Sequence, residues 1–151
     1  MLAREREDMK NPRIAILDDD ERRCLTMREH ALLVAPGAEL HFFDNAPDMI
    51  EWLKAELSDL DLISLDHDLG PNRERDGGVF DPGTGRDVVD YLCSCRPVCP
   101  VLIHSSNSTA AQGMHFALED AGWQNERVFP FDDVEWIAGE WRSAFAGKLR
   151  K

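Results

Sequence analysis

Leu62-Ile63-Ser64-Leu65-Asp66-His67-Asp68-Leu69 decides the fold: a short apolar run that empties abruptly into two acids and a histidine. A run this short, bounded by polar residues, fits a buried strand better than a buried helix. The same pattern occurs twice more. Arg13-Ile14-Ala15-Ile16-Leu17 runs into Asp18, Asp19 and Asp20, and the apolar run at 100–103 runs into His104, Ser105, Ser106 and Asn107. Working outward from these three, further strands are expected at 39–43 and 127–131. Helices are expected between them. One spans about 21–34 and stops at Pro36-Gly37; the next spans about 47–57, with Pro47 in its first turn and Met49, Ile50, Leu53 and Leu57 at helical spacing. Others are expected at 87–95 and at about 109–121, the latter stopped by Gly122, and Val134, Ile137, Ala138, Trp141, Ala144 and Phe145 mark the stripe of a last helix.

Five strands alternating with five helices predict an α/β, doubly wound, five-stranded parallel sheet, because parallel neighbours need crossover connections. Ligands in such sheets bind beyond the carboxyl ends of the strands, which is where the three polar clusters fall. The 151 residues make one domain, expected at 13–151 behind a charged tail at 1–12, and the chain is long enough to build a core without staples. Residues 70–85, rich in Gly, Pro and charge, read as a long mobile loop.

Lys plus Arg number 17 against 29 Asp plus Glu, a formal net charge of -12, which argues against a broad grip on nucleic acid. A small phosphorylated ligand remains compatible, provided a divalent cation or a few local cations screen the acids. No apolar run reaches bilayer length and the N-terminus lacks a secretory core, so no membrane contact and a cytoplasmic location are expected. Cys24, Cys93, Cys95 and Cys99 then read as reduced thiols.

Carboxylates gathered at strand ends repel one another, and a bound Mg²⁺ relieves that repulsion through hard oxygen ligands. Strand-end acids that only cap helices are the alternative. The residues resemble the response-regulator receiver domain. Ile16-Leu17-Asp18-Asp19, Leu62-Ile63-Ser64-Leu65-Asp66 and Pro100-Val101-Leu102-Ile103-His104-Ser105 carry the resemblance, which spans about residues 13–147. It implies a flavodoxin-like sheet of order 2-1-3-4-5. Asp18 and Asp19 would match the acidic pair, Asp66 the phosphoacceptor, Ser105 the hydroxyl residue at the phosphoryl group, and Asp68 the position whose backbone carbonyl completes the Mg²⁺ shell. Metal ligands are thus expected among Asp18, Asp19, Asp66 and Asp68. The usual lysine after the last strand is replaced by Phe129, before Pro130.

L-D-H-D-L, G-T-G-R-D-V-V, H-S-S-N and D-D-V-E-W-I further resemble a divergent receiver group described as cyclic-phosphate processing. This implies a Mg²⁺-dependent phosphoesterase acting on a cyclic phosphodiester, with catalytic candidates Asp66, His67, Asp68, His104 and Ser105. Two routes stay open: Asp66 as in-line nucleophile, or attack by water activated at the metal with Asp66 only a ligand. His67 or His104 would supply the proton to the departing oxygen, and Asp68 would orient the histidine or act as base. Ser106 and Asn107 either cap the next helix or join Ser105 and Arg23 in holding phosphate oxygens. The rival readings are a phosphoacceptor served by a histidine kinase and a silent phosphate-binding module. An acidic monomer or weak homodimer is expected, with Trp136, which falls off the last helical stripe, as the mark of a partner surface.

Overall fold

The computed structural model describes residues 11–150; residues 1–10 of the expected N-terminal tail lie outside them. The strands of the main sheet are β1 (Arg13–Leu17), β2 (Glu39–Phe43), β3 (Leu62–Leu65), β6 (Val101–His104) and β7 (Asn125–Val128). They lie in the order β2-β1-β3-β6-β7, every neighbouring pair parallel, which is the 2-1-3-4-5 order counted over this sheet alone. The helices are α1 (Glu21–Val34), α2 (Ala46–Glu56), α3 (Gly85–Cys93), α4 (Ser108–Asp120) and α5 (Arg142–Leu149).

Strand alternation gives the sheet two buried faces. Ala15, Leu17, Ile63, Leu65, Val101 and Ile103 point to one, where Met49, Leu53, Val88, Leu92, Met114 and Leu118 cover them. Ile14, Ile16, Leu62 and Leu102 point to the other, beneath Met27, Ala31, Trp136, Ile137, Trp141 and Phe145. Each fully buried aliphatic side chain contributes about 1.5–3 kcal/mol relative to exposure.

The polar residues after each strand start the helices. Asp20 accepts from the Arg23 amide at 2.9 Å and caps α1; Asn45 accepts from Asp48 at 2.8 Å and caps α2; Asn107 accepts from Ala110 at 3.1 Å and caps α4. α3 begins with a capping box between Thr84 and Asp87.

Two expectations need correction. Segment 70–85 is not a featureless loop: it folds into an antiparallel hairpin of β4 (Arg73–Arg75) and β5 (Gly78–Phe80). Asp76 and Gly77 both take positive φ, 54° and 80°, as a two-residue hairpin turn of this kind requires. Arg73 pairs with Asp44 at 2.8 Å and Arg75 with Asp48 at 3.1 Å, and both guanidinium groups lie over the Phe80 ring. Trp136 is not a surface mark either. It is fully buried, because Ile137–Trp141 forms a π-helical turn. Positions five apart, such as 136 and 141, diverge on an α-helix but come together across a π turn. The chain enters this turn through Asp132 and Asp133, both at positive φ, with the Trp136 indole N–H donating to the Asp133 carbonyl at 2.7 Å.

Candidate functional site

Asp18 directly follows β1 and Asp66 directly follows β3; because these strands are parallel neighbours, with Leu17 paired to Leu65, the two acids emerge side by side. Asp19 joins them. Carboxylate oxygens of Asp18, Asp19 and Asp66 all lie within 4.8 Å of one another. Asp18 and Asp66 are buried, whereas Asp19 is exposed. Arg23, one turn into α1, stands against this group, 3.7 Å from Asp18 and 3.9 Å from Asp66.

The electrostatics divide the acids. Burial pushes Asp66 up to about 6, and repulsion from Asp18 adds to it against the pull of Arg23. Burial and Asp18 likewise raise Asp19. Asp18 itself is driven up by burial, but the hydrogen bond from His104, the Arg23 guanidinium and the Asp20 amide outweigh that and hold it below the usual carboxylate range. Three close carboxylates with, among the described residues, the Arg23 guanidinium beside them are a hard, anionic donor set. That chemistry suits a small divalent ion such as Mg²⁺, which takes carboxylate oxygens and keeps several waters.

The neighbouring candidates take different positions. His67 is half-buried; its Nδ1 meets Asp68 Oδ1 at 2.7 Å, and its amide donates to Asp66 Oδ1 at 2.7 Å. Asp68 is exposed and lies outside the carboxylate group, receiving Asn107 Nδ2 at 3.4 Å. Ser105 is buried, its Oγ accepting from the Asn107 amide at 3.1 Å; Ser106 is exposed. His104 is fully buried among Ser64, Asp18 and Trp136, its ring centroid 5.9 Å from that of the tryptophan. Phe129 is half-exposed under the Arg127 guanidinium.

Glycines fit the backbone around these groups. A Cβ on Gly85 would fall 1.9 Å from the Asp66 carbonyl oxygen, so only glycine lets α3 approach so closely. The Gly85 amide donates to the His67 carbonyl at 2.9 Å, and Asp68 forms a bridge with Thr84, which closes the base of the hairpin segment beside the acids.

Sequence reasoning missed Ser64, which meets His104 Nδ1 at 2.7 Å from behind, and Trp141, whose indole N–H donates to Ser64 Oγ at 3.0 Å. A polar residue inside the apolar run of β3 was the available signal. None of the helices among the described residues is long and apolar enough to cross a membrane.

Solved structures share the fold. A response regulator receiver domain from Rhodospirillum rubrum superposes with a TM-score of 0.67 at 15% identity, covering 89% of this chain and 92% of that one. The signal receiver domain of a LuxO repressor-like protein from Vibrio parahaemolyticus gives 0.63 at 13%, covering 93% and 94%, and the receiver domain of the stress response regulator RcsB from Escherichia coli gives 0.63 at 15%, covering 93% and 95%. No curated protein matches the chain. The family model described as "Cyclic-phosphate processing Receiver domain" matches residues 14–120, from β1 through α4, and so takes in all three acids, His67, Asp68 and the His104–Asn107 cluster. The chain is a member of the cyclic-phosphate processing receiver domain family.

Proposed function

We propose that this protein is a Mg²⁺-dependent phosphoesterase that opens a cyclic phosphodiester at the Asp18, Asp19 and Asp66 centre. The observation that carries this reading is the His67–Asp68 pair, joined at 2.7 Å and bound to Asp66 through the His67 amide. A phosphoacceptor needs no such pair. A phosphoesterase does, because the departing oxygen must receive a proton.

Asp18, Asp19 and Asp66 would hold the ion, which when bound supplies charge neutralisation to the phosphoryl oxygens. Arg23 adds a cation from the α1 side, whereas ordinary receivers use a lysine after the last strand, the position that Phe129 takes here. In one route Asp66 attacks phosphorus, the bond to the ring oxygen breaks, and His67 passes its proton to that oxygen. Water then attacks the acyl phosphate, Asp68 or His67 takes its proton, and Asp66 is restored. In the other, water attacks phosphorus directly. Ser105, Ser106 and Asn107, at the start of α4, lie where a phosphate would meet backbone N–H groups.

The test is turnover of 2′,3′-cyclic and 3′,5′-cyclic nucleotides with Mg²⁺, followed by phosphorus NMR. Loss of turnover in Asp66→Asn and Asp68→Asn supports the reading; turnover untouched by both substitutions defeats it. Borohydride trapping of an acyl phosphate on Asp66 during turnover separates the routes, since only the nucleophilic route forms that bond. A stable acyl phosphate on Asp66 after treatment with a small phosphodonor, without turnover of any cyclic phosphate, points instead to a phosphoacceptor served by a histidine kinase.

A further inference from the structure

His104 is the one buried histidine at the carboxyl edge of the sheet, and the chemistry above does not use it. No part of its ring is exposed, so it does not touch a substrate. Its two nitrogens are both engaged. Nε2 lies 3.0 Å from Asp18 Oδ2, and Nδ1 lies 2.7 Å from Ser64 Oγ. Ser64 Oγ in turn accepts the indole N–H of Trp141 at 3.0 Å. All four side chains are buried, and they run from the acidic centre through the sheet face to the π-helical turn of the last helix.

The donors and acceptors assign the proton. The Trp141 indole N–H can only donate. Ser64 Oγ therefore accepts from it, and donation of its own O–H proton to His104 Nδ1 is the arrangement that leaves no buried group of the four without a partner. Nδ1 is then the acceptor of that bond, and Nε2–H points at Asp18 Oδ2. Trp136 lies nearly parallel to the ring, 23° between planes, and restricts its rotation. Asp18 is thus held at both oxygens, with the Asp20 amide donating to Oδ1 at 2.8 Å.

We propose that Trp141, Ser64 and His104 form a directional hydrogen-bond thread that fixes the Asp18 carboxylate for cation binding, making His104 a positioning residue rather than a proton donor to substrate. The inference rests on the proposed Mg²⁺ site and extends it to residues on the last helix. A ligating group whose orientation is set from behind loses affinity when the support is removed, commonly by about 10–100-fold.

Two measurements on the full chain test this. Nitrogen-15 NMR of the histidine rings is expected to show His104 protonated at Nε2 and bare at Nδ1; protonation at Nδ1 overturns the thread. Calorimetric titration with Mg²⁺ is expected to show affinity reduced about 10–100-fold in His104→Leu and less in Ser64→Ala, with His104→Gln recovering most of it by restoring an N–H toward Asp18. Equal affinity in wild type and His104→Leu, with the fold intact by circular dichroism, overturns the positioning role. Should His104→Leu not fold, Ser64→Ala and the wild-type tautomer decide. No Mg²⁺ binding by the wild-type chain defeats the proposed metal site and the positioning role together, whereas binding that ignores every substitution defeats the positioning role alone.

Discussion

The two faces of the sheet are buried alike but built differently. Beneath α2, α3 and α4 every fully buried side chain of β1, β3 and β6 is aliphatic. Beneath α1 and α5 two inward positions, Ser64 and His104, are polar, and tryptophans cover them. The apolar face supplies stability through area and packing, which tolerate many solutions of similar volume. The other face replaces some of that freedom with directed hydrogen bonds, whose loss leaves buried groups without partners. The comparison shows where this chain departs from a purely structural core: on the side from which Asp18 is reached.

Adjacent residues of β3 give the sharpest break of this contrast. Ile63→Ala, on the apolar face, is expected to cost about 2–5 kcal/mol in denaturant unfolding, through lost burial and the cavity left behind, with cation binding unchanged. The Asp66 carboxyl comes next. Its folded pKa of about 6 lies above the ordinary value of 3.8, so the folded chain binds more protons between those limits. In EDTA, the Asp66 contribution to stability is present below pH 4 and falls by about 3 kcal/mol as pH rises through 6. Carboxyl carbon NMR should find the Asp66 midpoint near 6 without cation and well below it with Mg²⁺; a midpoint near 4 in EDTA would remove the argument that the centre calls for a cation.

Ser64→Ala, on the polar face, is expected to cost about 1–3 kcal/mol, because Trp141 Nε1 and His104 Nδ1 lose their shared partner. Unlike Ile63→Ala, it should also weaken Mg²⁺ binding. If the two substitutions affected binding equally, the distinction between the faces would lose its functional meaning. The smallest effect belongs to neither face: Gly77→Ala, at φ 80° in the hairpin turn, is expected to cost about 1 kcal/mol or more locally. Hydrogen exchange in β4 and β5 should rise while the main sheet stays protected.

Legibility in the sequence followed how local the signal was. The apolar runs ending in acids at Asp18 and Asp66 located β1 and β3 and with them the candidate site, because a buried strand and its polar exit lie within a few consecutive residues. The hairpin was equally local, since Asp76-Gly77 between R-E-R and G-V-F is a turn signal, but the weight of Gly, Pro and charge across 70–85 masked it. Strand limits drifted at β7, expected to reach Phe131 but ending at Val128, because an edge strand lacks the continuous apolar run of a central one.

The sequence by itself determined the alternation of strands and helices, the three polar strand ends and the family they belong to, because period and abrupt polarity change are properties of neighbouring residues. Only the tertiary structure decided which groups meet. His104 reaches Asp18 across 86 residues and Trp141 reaches Ser64 across 77. Those meetings depend on a π turn that rotates Trp136 and Trp141 onto one side, and no local pattern of residues encodes it.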